Sequence, residues 1–279
     1  MRINGVEHWV RRAGPTTGTP LVVLHGGPGG TIYDFEKVAG PLLEEHCPVV
    51  YYEQRGSGRS DPPSDGAYSI ELLVSDLEQL RQQLGIQSMA LLGISFGGQL
   101  ACEYAVAHPE RVRALILNGF GAPGPLAVSP QPAAFDAVTT DEILRARIRE
   151  CDTADDIWAI VDQPTVNRFL FRRPESAVRV RELWTESGTV NTGAMAAALA
   201  DQPPRERPLI DDLAELEIPI LALIGLYDRN AGVDACRDLV TRVHDGHLVV
   251  FDGSAHFPHI EQTGDYIRAI AEFLPGQDR

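Results

Sequence analysis

Six short apolar runs, each separated from the next by an amphipathic or polar stretch, constrain this chain more than any other feature. They are Leu21–Leu24, Val49–Tyr52, Ala90–Ile94, Ala114–Leu117, Ile220–Ile224 and Leu248–Phe251. A strand that is apolar on both faces must be covered on both, which a parallel sheet with helices on either side provides. Residues 69–84 carry Leu72, Leu73, Leu77, Leu80 and Leu84 at helical spacing, with Glu71, Asp76, Glu78 and Arg81 elsewhere. The spacing predicts a helix that buries one stripe, with Ser69 as its N-cap and Gly85 as its stop. Further helices are predicted over 96–107, 235–243 and 264–274. The expected class is therefore α/β, a mostly parallel twisted sheet with helices on both faces. The opening segment Ile3–Val10 reads as an antiparallel edge hairpin.

The alternation breaks between Gly121 and Pro208, a stretch rich in Pro, Ala, Arg and Glu with no clear buried strand. It is too long for a structureless loop in a compact domain. Helical pieces over 141–149, 153–161 and 174–186 predict an inserted helical cap at the carboxyl edge of the sheet. The chain then divides into core 1–120, cap 121–208 and core 209–279. With 44% hydrophobic and 23% charged residues over 279 positions it has the apolar content of a folded protein rather than a disordered one. Asp+Glu 39 against Lys+Arg 24 gives −15, which argues against a nucleic-acid backbone as partner. No run of eighteen apolar residues is present, and the start MRINGVEHWVRR holds no apolar signal core. The expectation is a cytoplasmic protein with a small-molecule or short-peptide substrate and no membrane partner. Cys47, Cys102, Cys151 and Cys236 are widely spaced, without metal or redox spacing, and read as buried free thiols.

The third apolar run ends in Gly93-Ile94-Ser95-Phe96-Gly97-Gly98, a G-x-S-x-G pattern between a strand and a helix. A nucleophile on so sharp a turn needs glycines two residues away on either side, where side chains would collide. Serine also needs a base and an orienting acid. His256, in Gly253-Ser254-Ala255-His256-Phe257 after the last strand, is the expected base, with His259 as its rival. Asp228, after the fifth run, is the expected acid, with Asp234 and Asp252 as rivals. His25-Gly26-Gly27-Pro28-Gly29-Gly30 follows the first run. It can offer backbone N–H groups to an oxyanion, the expected donors being those of Gly27 and Phe96. His25 itself is expected to brace this loop. The loop lacks the G-x-G-x-x-G register and the G-K-[ST] ending of nucleotide sites. The chemistry calls for no metal and no organic cofactor.

Together these segments, with Glu53-Gln54-Arg55-Gly56-Ser57-Gly58-Arg59-Ser60, resemble the α/β-hydrolase fold and, within it, the proline iminopeptidase group of serine hydrolases. The resemblance spans most of the chain and is weakest in the cap. It implies that Ser95 attacks, His256 shuttles protons and Asp228 orients the imidazole, with Gly27 and Phe96 as the oxyanion pair. Peptidases of this group hold the free amine of the substrate with cap carboxylates, for which Glu186 is the best match, followed by Glu182 and Glu175. Two departures stand out: Glu53 replaces the usual aspartate, and Phe96 the usual tryptophan. Arg55 reads as a loop anchor rather than a carboxylate binder. The expected activity is that of a proline iminopeptidase-like aminopeptidase on small N-terminal-proline substrates. A carboxylesterase or lactonase, and a carbon–carbon hydrolase or cyclase, are the alternatives on the same fold.

Overall fold

The computed structural model describes residues 1–120, 131–188, 192–200 and 205–274. The strands are β1 (Arg2–Ile3), β2 (Val6–Glu7), β3 (Val10–Ala13), β4 (Leu21–Leu24), β5 (Val49–Tyr52), β6 (Met89–Ile94), β7 (Val112–Asn118), β8 (Pro219–Gly225) and β9 (Asp245–Phe251). The helices before the insertion are α1 (Tyr33–Val38), α2 (Gly40–Leu43), α3 (Ile70–Gln83) and α4 (Phe96–Ala107). Those between β7 and β8 are α5 (Gln131–Val138), α6 (Glu142–Arg149), α7 (Ala154–Ile160), α8 (Gln163–Leu170), α9 (Pro174–Ser187), α10 (Thr192–Ala200) and α11 (Leu209–Leu213). The last are α12 (Val233–Arg242), α13 (Pro258–Glu261) and α14 (Thr263–Phe273).

Seven strands form the main sheet in the order β3-β5-β4-β6-β7-β8-β9, with only β3 antiparallel to its neighbour. Its residues alternate between two cores, as the two-residue period of a strand requires. Val22, Leu24, Val50, Tyr52, Leu91, Leu115 and Leu117 join the layer under α3 and α4. Leu21, Val23, Val49, Tyr51, Leu92, Ile116 and Leu223 join the layer under α1, α2 and α14. Ser69 caps α3 by accepting the Leu72 N–H at 3.1 Å, and Gly85 beyond its end has φ +66°.

The N-terminal segment departs from expectation. Asn4 and Gly5, at φ +44° and +84°, close a separate two-stranded sheet of β1 and β2, as an Asn-Gly turn favours. The edge of the main sheet is instead Val10–Ala13, whose polar sequence hides it. An edge strand needs little apolar cover, and Arg11 lies over the Tyr51 ring at 5.2 Å. The expected cap helices at 141–149, 153–161 and 174–186 appear as α6, α7 and α9. The start of the expected insertion at residue 121 lies outside the described residues. Phe135, Leu144, Ile148, Ile157 and Phe169 give α5–α8 a small core of their own. Phe171, Ala177 and Val180 pack on Phe257, which follows the predicted base. Among the described residues no helix is long and apolar enough to cross a membrane. Cys47, Cys102 and Cys236 are buried free thiols, whereas Cys151 is half-buried. Burial pushes the Cys236 thiol up to about 12.

Candidate active site

Parallel strands bring their carboxyl ends to one edge, and every predicted triad residue follows the end of such a strand. Ser95 follows β6 directly. Its backbone sits at φ +52°, ψ −117°, a conformation that is costly for a residue with a β-carbon and is held here by its surroundings. A Cβ on Gly93 would strike the Gly97 carbonyl, and one on Gly97 would strike the Leu24 carbonyl. Both glycines of the motif are thus required by close approach. Ser95 occupies the N-cap position of α4, yet its side chain makes no capping bond. Ser95 as a residue is half-buried at a helix N-terminus, where negative charge is favoured.

His256 and Asp228 meet each other. The imidazole Nδ1 lies 2.8 Å from Asp228 Oδ2, and both side chains are almost fully buried. The other carboxylate oxygen accepts the N–H groups of Asn230 at 2.7 Å and Ala231 at 3.0 Å. Asp228 is therefore a turn aspartate and an imidazole partner at once. With Nδ1–H donating to the carboxylate, Nε2 is left as the basic nitrogen.

The rivals are occupied elsewhere. His259 is fully buried among Phe35, Phe257 and Tyr266, with Nε2 3.4 Å from Asp34. Asp234 is exposed and pairs with Arg237 at 2.5 Å. Asp252 accepts from Gln262 Nε2 at 3.3 Å.

The junction Asn118-Gly119, at the end of β7, connects the serine to the histidine and escapes a reading of the sequence. Asn118 accepts the Ser95 N–H on its carbonyl at 2.8 Å, and its side-chain amide donates to the His256 carbonyl at 3.3 Å. Gly119, at φ +62°, lies against the ring. A Cβ there would fall 2.8 Å from His256 Cε1, 2.9 Å from Nδ1 and 3.2 Å from Asp228 Oδ2. The signal was a buried polar residue followed by glycine where an apolar strand stops.

The Gly-rich loop lies beside Ser95: a Cβ on Gly26 would be 3.2 Å from the Ser95 Cβ. Gly27 follows in that loop, at φ +135°. Phe96 is the first residue of α4, where backbone N–H groups have no partner within the helix. His25 braces the loop as expected. Its Nδ1 pairs with the Gly26 carbonyl at 2.8 Å, and its Nε2 accepts the Gln54 N–H at 3.1 Å. Burial pushes the His25 pKa down, so the ring is neutral at pH 7. Glu53 accepts from Thr31 Oγ1 at 2.7 Å, Ile32 N at 3.1 Å and Arg59 Nε at 3.0 Å. Burial alone would raise its pKa, but the bonds from Arg59 and Thr31 outweigh that and hold it low. Glu53 thus fills the place expected for an aspartate as a loop anchor. Arg55 donates to both oxygens of Asp76 at 2.7 Å and to the Ala67 carbonyl at 3.2 Å, the anchoring role read from the sequence.

The structure places the expected amine anchor, Glu186, on the exposed face of α9. The buried face of α9 carries Ala177, Val180 and Leu183, whereas Glu186, Glu182 and Glu175 are exposed. Glu186 lines an open surface depression with Val178, Arg181, Glu182 and Thr185. Glu182 pairs with Arg179 at 3.7 Å. The helical period turns these carboxylates away from the face that packs on Phe257. The cap pattern alone could not show which face is inward. Among the described residues no cluster of His, Cys, Asp and Glu is arranged to hold a metal.

Known proteins share the sequence pattern and the fold. Residues 19–263 match the alpha/beta hydrolase fold family. A proline iminopeptidase of Saccharolobus solfataricus is 28% identical over 269 residues, covering 91% of this chain and 84% of its own. A proline iminopeptidase-related protein from Thermus thermophilus superposes with a TM-score of 0.79 at 24% identity, covering 99% of this chain and 96% of that one. A thermophilic esterase from Thermogutta terrifontis gives 0.74 at 23%, covering 98% and 95%. At these identities the two solved structures speak for the fold.

Proposed function

Because this chain belongs to the α/β-hydrolase fold family, and its match covers 19–263 of 279 residues, we propose that it is a serine hydrolase whose nucleophile is Ser95, whose base is His256 and whose orienting acid is Asp228. In this reading His256 Nε2 takes the Ser95 proton as the hydroxyl attacks a carbonyl carbon. The backbone N–H groups of Gly27 and Phe96 hold the resulting oxyanion. His256 then passes the proton to the leaving group, and water repeats the sequence on the acyl-enzyme. Asp228 keeps the proton on Nδ1 and stabilises the imidazolium that forms.

The observation that carries this reading is the His256–Asp228 contact of 2.8 Å, linked through Asn118 to a serine whose hydroxyl is not used as a helix cap. The substrate class is an amide or ester of a small acyl group. Likeness to proline iminopeptidases over nine-tenths of the chain favours N-terminal-proline substrates. A second reading, an esterase, is favoured by one observation: the cap carboxylates expected to hold a free amine are exposed.

The test is covalent. A fluorophosphonate probe is expected to add one label at Ser95, located by mass spectrometry. Ser95→Ala should abolish the label and lower p-nitrophenyl ester turnover by at least a hundredfold while the protein stays folded. Labelling at another residue, or unchanged turnover, would overturn the assignment. Proline β-naphthylamide and p-nitrophenyl acetate, run side by side, separate the peptidase from the esterase.

A further inference from the structure

The loop that carries His256 is held by side chains that the reaction does not use. Each backbone N–H from residue 253 to 256 has a partner. Gly253 donates to Gln262 Oε1 at 2.7 Å, and Ser254 to the Phe251 carbonyl at 3.4 Å. Ala255 donates to Glu261 Oε2 at 2.8 Å, and His256 to the Leu170 carbonyl at 3.0 Å. The other oxygen of Glu261 accepts from Arg172 N at 3.0 Å and Arg173 N at 2.8 Å. Glu261 is buried, at 5% exposure, and forms no ion pair among the described residues. Its neutralisation comes from three N–H dipoles, two on the inserted segment and one next to the histidine.

A buried carboxylate with three donors is strongly bound to their positions, because a lost donor cannot be replaced by solvent. Leu170, Arg172 and Arg173 lie where α8 leads into α9, the stretch that continues into the packing of Phe171 on Phe257 at 4.7 Å. One side chain therefore joins the seating of the insertion to the placement of the imidazole. We propose that Glu261 is a positioning residue: it fixes the His256 loop and makes correct docking of the 170–173 segment a condition for it. The role of His256 as base rests on the function proposed above; the junction itself does not.

Glu261→Gln keeps the shape and one acceptor oxygen but puts an amide donor against one of the N–H groups. It should lower the rate of fluorophosphonate labelling at Ser95 at least tenfold. On p-nitrophenyl acetate, kcat should fall by a similar factor with KM changed less than twofold. The hydrogen-bonded Nδ1 proton of His256, identified in the NMR spectrum by its loss in His256→Asn, should broaden or vanish. Glu78→Gln, remote from this junction, controls for lost stability and should leave labelling within twofold. A variant that labels at the native rate with the Nδ1 proton intact overturns the proposal. A native protein that resists the probe, yet loses its Nδ1 proton in Glu261→Gln, overturns the function and leaves the junction standing. If Glu261→Gln does not fold, hydrogen exchange on the unaltered protein decides. The amides of Ala255, Arg172 and Arg173 should open together, within threefold in rate. Exchange of Arg172 and Arg173 tenfold faster than Ala255 refutes the junction.

Discussion

Replacing Gly119 with alanine adds one methyl group at the most crowded point of the site, and the structure sets the size of the effect. Two contributions separate. The backbone at φ +62° disfavours any residue with a β-carbon, by about 1–2 kcal/mol. The methyl would also sit 2.8 and 2.9 Å from two imidazole atoms, where carbon contacts prefer about 3.5–4.0 Å. The ring cannot retreat toward Asp228, because Nδ1 is already 2.8 Å from Oδ2. Relief requires the imidazole to move by roughly 0.7 Å or more, and misplacements of about 1 Å cost about 100-fold in rate. Gly85→Ala is the control: its φ is +66° and a Cβ there meets nothing within 4 Å. Both variants should lose about 2–4 °C in Tm per kcal/mol of backbone cost. Only Gly119→Ala should lose kcat for p-nitrophenyl ester hydrolysis, by about 10- to 100-fold. A folded Gly119→Ala enzyme within threefold of native turnover would show that the His256–Asp228 geometry is not what limits catalysis.

The acid limb of stability provides an independent check. The Arg81 hydrogen bond holds the Glu78 carboxyl at about 2, against an ordinary 4.5. A lowered folded-state value means stability that is complete above pH 4.5 and lost as pH falls toward 2. The full shift corresponds to about 3 kcal/mol, which solvent screening at this partly exposed pair reduces. Glu78→Gln should therefore flatten the decline of urea midpoint between pH 5 and 3; an unchanged slope would assign the acid sensitivity elsewhere. Glu186→Gln, at an exposed position, should leave turnover of proline β-naphthylamide and of p-nitrophenyl acetate within twofold. A selective loss on the amide would identify Glu186 as the amine anchor.

Six apolar runs and their helical partners were legible because burial writes itself into local sequence, fully in the first five runs and only partly in Leu248–Phe251, the sheet edge, where Val250 is 37% exposed. All six reappear as strands, and α4 spans 96–107 as read. The glycines around Ser95 were legible for a similar reason, since a strand-to-helix turn leaves no room for side chains. Other features depend on neighbours distant in the chain. Val10–Ala13 is a strand because β5 offers it an edge, not because of its own pattern. Asn118 and Gly119 matter because residues 95, 228 and 256 come to the end of β7. Glu186 faces outward because α9 buries its other side on Phe257.

The sequence by itself determined the layering of the sheet, the sharp turn under Ser95 and the order in which serine, aspartate and histidine occur, since each depends on residues within a few positions of one another or on simple periodicity. Tertiary structure alone decided that His256 meets Asp228 while His259 lies against Asp34, which carboxylates between β7 and β8 face solvent, and that Glu261 would gather N–H groups from two segments more than eighty residues apart. Those outcomes follow from contacts between segments that share no local pattern, and only the packed chain brings such segments within hydrogen-bonding distance.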